Sequence, residues 1–133
     1  MKTIEETEYT LLHIEDNPEL HLLVGHILSS RPHIKLIHAL TVKEGVSLAR
    51  QHKPDIILMD IHLPDGSGVE ALKQIRSYKE TQDIPSVALS SMATSMQIDE
   101  ALREGFQYYL TKPIDIPEML ETIDRILSEK IER

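Results

Sequence analysis

Five short apolar runs, each too brief for a helix and each closed by a polar residue, set the limits on this fold. The plainest is Ile56-Ile57-Leu58-Met59, which ends in Asp60 and is followed by the turn residues Pro64-Asp65-Gly66. A strand with one wet face alternates apolar and polar residues; a run that does not alternate is covered on both faces. Between the runs lie stretches with apolar residues at helical spacing, which can supply that cover. The pattern predicts an α/β domain: a doubly wound, five-stranded parallel sheet with five helices.

Residues 1–9 form a polar lead-in, and residues 10–130 carry the domain. Strands are expected over 10–16, 35–39, 55–60, 86–89 and 108–110. Asn17-Pro18 opens the first helix, since Asn caps well and Pro suits the first helical position. Leu20, Leu23, Val24, Ile27 and Leu28 form its inward stripe. Thr41 with Glu44 reads as a capping box for the second helix. Gly66-Ser67-Gly68 precedes a third helix that turns Val69, Leu72 and Ile75 inward. A weaker fourth helix covers 95–104 and stops at Gly105, a good C-terminal glycine. Asp115 and Glu118 box the last helix, whose stripe is Met119, Leu120, Ile123, Ile126 and Leu127.

Several function classes drop out. A formal net charge of −8 does not suit a phosphate-tracking nucleic-acid surface. Apolar runs of four or five residues cannot span a membrane. With no cysteine there is neither disulfide nor thiolate chemistry. The default expectation is a soluble cytoplasmic protein.

Right-handed crossovers bring all strand C-termini to one edge. There Glu15, Asp16, Asp60, Ser90 and Lys112 converge. Asp16 and Asp60 on neighbouring strands would place oxygens ~4–5 Å apart, a repulsion of roughly 3–4 kcal/mol at an effective dielectric of about 20. A bound cation relieves this. An all-oxygen set with few carboxylates suits Mg²⁺, which shares phosphate oxygens. Lys112 and the Ser90 hydroxyl can then meet a phosphoryl group, and Asp60 is its natural acceptor.

The chain resembles the receiver domain of two-component response regulators over residues 10–128. The matching motifs are Glu15-Asp16, Ile57-Leu58-Met59-Asp60, Leu63-Pro64-Asp65-Gly66, Ser90, and Tyr109-Leu110-Thr111-Lys112-Pro113. In wording it is most similar to receivers attached to hybrid sensor histidine kinases. The resemblance implies strand order 2-1-3-4-5 and a flavodoxin-like fold. It implies that Asp60 accepts a phosphoryl group from a phosphohistidine of a histidine kinase or phosphotransfer domain. It implies Mg²⁺ held by Asp16, Asp60 and the His62 backbone carbonyl, with Glu15 acting through water. Ser90 and Tyr109 would be the switch pair, moving the face of the fourth helix, fifth strand and fifth helix, through which a homodimer could form. Lys112-Pro113 would be cis. Ser91-Met92 and Phe106 depart from the usual wording, and His62 and Met92 stand where the family tunes phosphoryl lifetime.

Other readings fit less well. An aspartyl-phosphate enzyme wants a second Asp two residues beyond the first, where this chain has His62. A flavin carrier wants a Ser/Thr/Gly loop after the first strand, where this chain is acidic. A pseudo-receiver that takes no phosphate remains the alternative, although both Asp60 and Lys112 are present. Among the seven histidines, His21 and His26 are off the spacing of a helical metal pair. His13 and His38 read as satisfied interior groups, His33 and His52 as loop or helix-end residues, and no histidine metal site is expected. Met92 and Met96 are expected to be flank packing on a mobile element, with a methionine interaction surface as the alternative. The chain reads as a single-domain regulator or as a piece of a larger protein.

Overall fold

The computed structural model describes residues 7–132, with side chains to residue 130. Residues 1–6 of the polar lead-in lie outside that range. The order is β1 (Tyr9–Ile14), α1 (Pro18–Leu28), β2 (Ile34–Ala39), α2 (Val42–His52), β3 (Ile56–Asp60), β4 (His62–Leu63), β5 (Gly66–Ser67), α3 (Gly68–Arg76), β6 (Ser86–Ser90), α4 (Ser95–Glu104), β7 (Tyr108–Thr111) and α5 (Ile116–Glu132). The main sheet runs β2-β1-β3-β6-β7, all parallel. Counting only its strands, that is the order 2-1-3-4-5. The short antiparallel hairpin β4–β5 is an addition: Pro64-Asp65-Gly66 reads as a turn, and its flanks pair with each other.

Strand alternation divides one apolar sequence between two cores. Ile56 and Leu58 face the layer made by α1 and α5, against Val24, Ile27, Met119, Ile123 and Ile126. Ile57 and Met59 face α2, α3 and α4, against Val46, Ala71, Leu72, Ile75 and Ala101. Every residue of β3 is buried. Phe106 is buried in this second core, in the company of Ala101 of α4.

Helix starts follow the local chemistry. The Asn17 side chain accepts from the Glu19 and Leu20 amides at 2.9 and 3.3 Å, with Pro18 in the first turn. Thr41 Oγ1 accepts from the Glu44 amide, but the Glu44 carboxylate answers at the Leu40 amide, one residue further out than a capping box requires. At α5, Asp115 accepts from the Glu118 amide at 3.0 Å. The fully reciprocal box is Thr94 with Gln97, at the start of α4. Gly105 ends α4 with φ 117°.

Arg76, at the end of α3, joins three segments. Its Nη1 donates to the carbonyls of Gln82 and Ile84 at 2.6 and 2.8 Å, and its Nη2 to that of Gly105 at 3.2 Å. Two apolar side chains depart from expectation. Leu23 is 38% exposed, set to the edge of the α1 stripe beside the fully turned-out Leu22. Met96 is 75% exposed, and Met92, 46% exposed, meets α4 through its sulfur, which accepts from Gln97 Nε2 at 3.1 Å.

Candidate functional site

The sheet carries the site because its ladders run one residue past each strand. The Glu15 N–H donates to the Ala39 carbonyl, the Ile61 N–H to that of Leu89, and the Lys112 N–H to that of Ser90, at 2.9–3.1 Å. Each loop therefore leaves its strand in a fixed direction. Gly68 tightens the acceptor loop: its N–H donates to the Ile61 carbonyl at 2.7 Å, and a Cβ there would lie 2.7 Å from the Asp60 carbonyl oxygen. Only glycine lets α3 start so close to the end of β3.

Glu15, Asp16 and Asp60 each present an oxygen within 4.8 Å of the others. The two members of the acidic pair differ sharply. Glu15 is wholly buried, whereas Asp16 is exposed, as successive side chains leave a strand end on opposite sides. Glu15 Oε2 accepts from the Asn17 N–H at 3.2 Å, and Oε1 is buried with no hydrogen-bond partner. Burial, then the neighbouring Asp60 carboxylate, raise the Glu15 carboxyl to about 7. Lys112 Nζ lies 3.2 Å from Asp60 Oδ2 and 3.5 Å from Glu15 Oε1, answering part of this negative charge. Asp60 Oδ1 accepts from the His62 N–H at 3.0 Å, which seats the His62 peptide beside the carboxylate.

The hydroxyl side of the site is closed on itself. Ser90 is buried, and its Oγ accepts from the Met92 N–H at 3.1 Å. The Tyr109 hydroxyl donates to the Met92 carbonyl. Ser90, Met92 and Tyr109 border a cavity of about 390 Å³ between α3 and α4, which Gln97 and Glu100 also line. The Lys112–Pro113 peptide is cis.

Thus the structure gathers Glu15, Asp16, Asp60 and Lys112, with the His62 peptide alongside, and sets Ser90 and Tyr109 around the Met92 backbone. Two features escaped sequence reasoning. Asp65 leaves its hairpin to cap another helix, its Oδ1 and Oδ2 accepting from the Val42 and Lys43 amides at 2.7 and 3.1 Å. His13, His21 and His38 form one stack beside Glu15. His13 is interior as expected, but its Nε2 has no partner.

The response regulator receiver domain family matches residues 11–124. The chain belongs to that family. Receiver domains are the signalling switches of two-component systems, and the curated relatives agree. The polar-differentiation response regulators DivK of Brucella ovis and Brucella abortus are each 34% identical to this receiver over 116 residues, covering 87% of this chain and 94% of the relative. Among solved structures, the receiver domain of the sensor histidine kinase PA1611 from Pseudomonas aeruginosa PAO1 is 26% identical with a TM-score of 0.83, covering 92% of this receiver and 99% of that chain. That protein holds a magnesium ion in its active-site cleft. The chemotaxis response regulator CheY4 of Vibrio cholerae shares the fold at a TM-score of 0.83 and 22% identity, over 90% of this chain and 99% of its own. No helix among the described residues is long and apolar enough to cross a membrane.

Proposed function

We propose that this receiver is a phosphoacceptor switch in which Asp60 takes a phosphoryl group from a phosphohistidine of a histidine kinase or histidine phosphotransfer domain. The observation that carries the reading is Lys112 between Asp60 and Glu15, at 3.2 and 3.5 Å, on a shared carboxylate cluster. A carboxylate oxygen of Asp60 attacks phosphorus. The phosphorus–nitrogen bond breaks, its electron pair returns to the imidazole, and an aspartyl phosphate is left. The ammonium of Lys112 then turns to a phosphoryl oxygen, as a flexible point charge can. Ser90 Oγ exchanges the Met92 amide for another phosphoryl oxygen, donating its own proton.

The acidic cluster fits a hard divalent cation: Glu15 Oε1 is buried without a hydrogen bond, 3.5 Å from Lys112 Nζ, and burial and then the nearby Asp60 raise the Glu15 carboxyl. Asp16, Asp60 and the His62 carbonyl, with Glu15 through water, would hold Mg²⁺, which when bound neutralises charge on the phosphoryl oxygens. Withdrawal of the Ser90 loop releases the Tyr109 hydroxyl from Met92, and the ring can turn into the cavity under α4. The output is a change in the face of α4, β7 and α5, offered to a partner or to a second copy in a homodimer. The reading assigns the protein to the cytoplasm, where histidine kinases present their phosphohistidine, and its net charge of −8 does not suit nucleic-acid binding by this domain.

Intact-mass spectrometry after incubation with Mg²⁺ and a small acyl-phosphate donor tests the reading. Wild type gains one phosphoryl group, and Asp60→Asn gains none while keeping its fold; excess chelator prevents the gain. Uptake by Asp60→Asn would overturn the acceptor. No uptake by wild type, from this donor or from a phosphohistidine protein, would favour a pseudo-receiver.

A further inference from the structure

We propose that His38, clamped by His21 and His13, is a positioning residue for the acidic loop: its Nε2–H holds the Glu15 carbonyl and so aims the acidic pair at Asp60. The role for that loop rests on the reading above. His38 Nε2 lies 2.7 Å from the Glu15 backbone oxygen. A carbonyl only accepts, so Nε2 carries the proton. On the other side of the same residue, the Glu15 N–H donates to Ala39. The end of β2 therefore grips Glu15 by both its peptide groups, through adjacent residues.

The clamp is built from three elements. His13 of β1 stands opposite His38 of β2 in the strand register. His21 of α1 lies flat on His38, with ring centroids 3.5 Å apart and planes 7° apart, which fixes the His38 ring orientation. His21 is held in turn by His13, Nδ1 to Nδ1 at 2.9 Å. Two facing nitrogens at that distance share one proton. A proton on His13 Nδ1 leaves a bare acceptor, not an N–H, at its unpartnered buried Nε2. His21 then carries its proton on Nε2. The arrangement does the work of the outer-shell partners that orient metal ligands elsewhere.

The test compares wild type, His38→Leu and His38→Gln. Long-range ¹H–¹⁵N spectra of wild type should show His38 protonated at Nε2 only and His13 at Nδ1 only; a His38 bare at Nε2 would overturn the proposal. By calorimetry, His38→Leu should bind Mg²⁺ roughly tenfold to a hundredfold more weakly. His38→Gln, which can present an amide N–H to the same carbonyl, should recover most of that loss. Equal affinity in all three proteins, or equal loss in both variants, would overturn it. If wild type binds no Mg²⁺ the metal reading fails separately, and the metal-free amide spectra decide. His38→Leu must then shift Asp16 and Asn17, and His38→Gln must restore them; failure of either overturns the clamp.

Discussion

The two halves of the site are held by different means. On the acidic side, the loops after β1 and β3 are tied down from several directions. Glu15 is gripped by Ala39 and His38, Asn17 turns its amide to the Glu15 carboxylate, and Asp65 fastens the hairpin to α2. On the hydroxyl side, α4 has a single buried residue, Ala101, and exposes Met96 and Leu102. Near the site it has its capping box and the bond from Gln97 Nε2 to the Met92 sulfur at 3.1 Å, beside the short chain of Ser90, Met92 and Tyr109. Burial makes local opening costly and its lack makes it cheap. A cation site needs fixed ligands, whereas a switch needs an element whose two positions differ little in free energy.

Core truncation should separate the halves most strongly. Leu11→Ala removes a wholly buried side chain of β1, in the core that α1 and α5 cover, and should cost about 2–5 kcal/mol by denaturant unfolding. Ala101→Gly, at the one buried position of α4, should cost about 1 kcal/mol. Equal costs would break the comparison. Next comes Thr94→Ala, which removes the capping box at an expected loss of about 1 kcal/mol. Native-state hydrogen exchange should then quicken along α4 while the α1 amides stay as protected as before. Spread of the change into α1 would mean that the halves are one cooperative unit.

The smallest effect is Asp65→Ala. Hydrogen bonds from the Val42 amide, then that of Lys43, hold the Asp65 carboxyl below its ordinary 3.8. A carboxylate with a depressed folded value binds fewer protons than in the unfolded chain. Its stabilisation is complete above the unfolded value and is lost as pH falls through the folded one. Asp65→Ala should therefore melt below wild type at neutral pH, and the gap should close in strong acid. A gap that persisted there would point to packing, not to charge.

The contrast between the halves bears on what the sequence discloses. The layers were legible because a buried parallel strand and an amphipathic helix have different periods, and β3 shows the first without ambiguity. The cluster at the strand ends was legible because topology alone sends Asp60, Ser90 and Lys112 to one edge. What stayed hidden depends on register or direction across elements. His13, His21 and His38 come from β1, α1 and β2, and only the pairing of His13 with His38 brings them together. The unequal burial of Glu15 and Asp16 turns on which way each leaves β1. Asp65 reads as a turn residue, since nothing local shows that its acceptor atoms serve a helix more than twenty positions earlier in the chain. The α4 box is hard to read from sequence because the helix behind Thr94 and Gln97 buries a single residue, Ala101, and so carries no broad apolar stripe.

Arg76 has a mechanical consequence. By holding the Gly105 carbonyl together with those of Gln82 and Ile84, it pins the far end of α4 to the stem of α3 and the approach to β6. The near end, at Thr94, sits a few residues beyond Ser90 and is held through Met92, whose carbonyl accepts from the Tyr109 hydroxyl, the bond that the proposed switch releases. Any displacement of α4 is then a swing about a fixed fulcrum and not a slide. A ten-residue helix is about 15 Å long, so a tilt of about 10° would carry its free end roughly 2–3 Å. A sub-ångström pull at one serine would thus be geared up along a rigid rod, with the travel greatest beside the acceptor and least at the arginine.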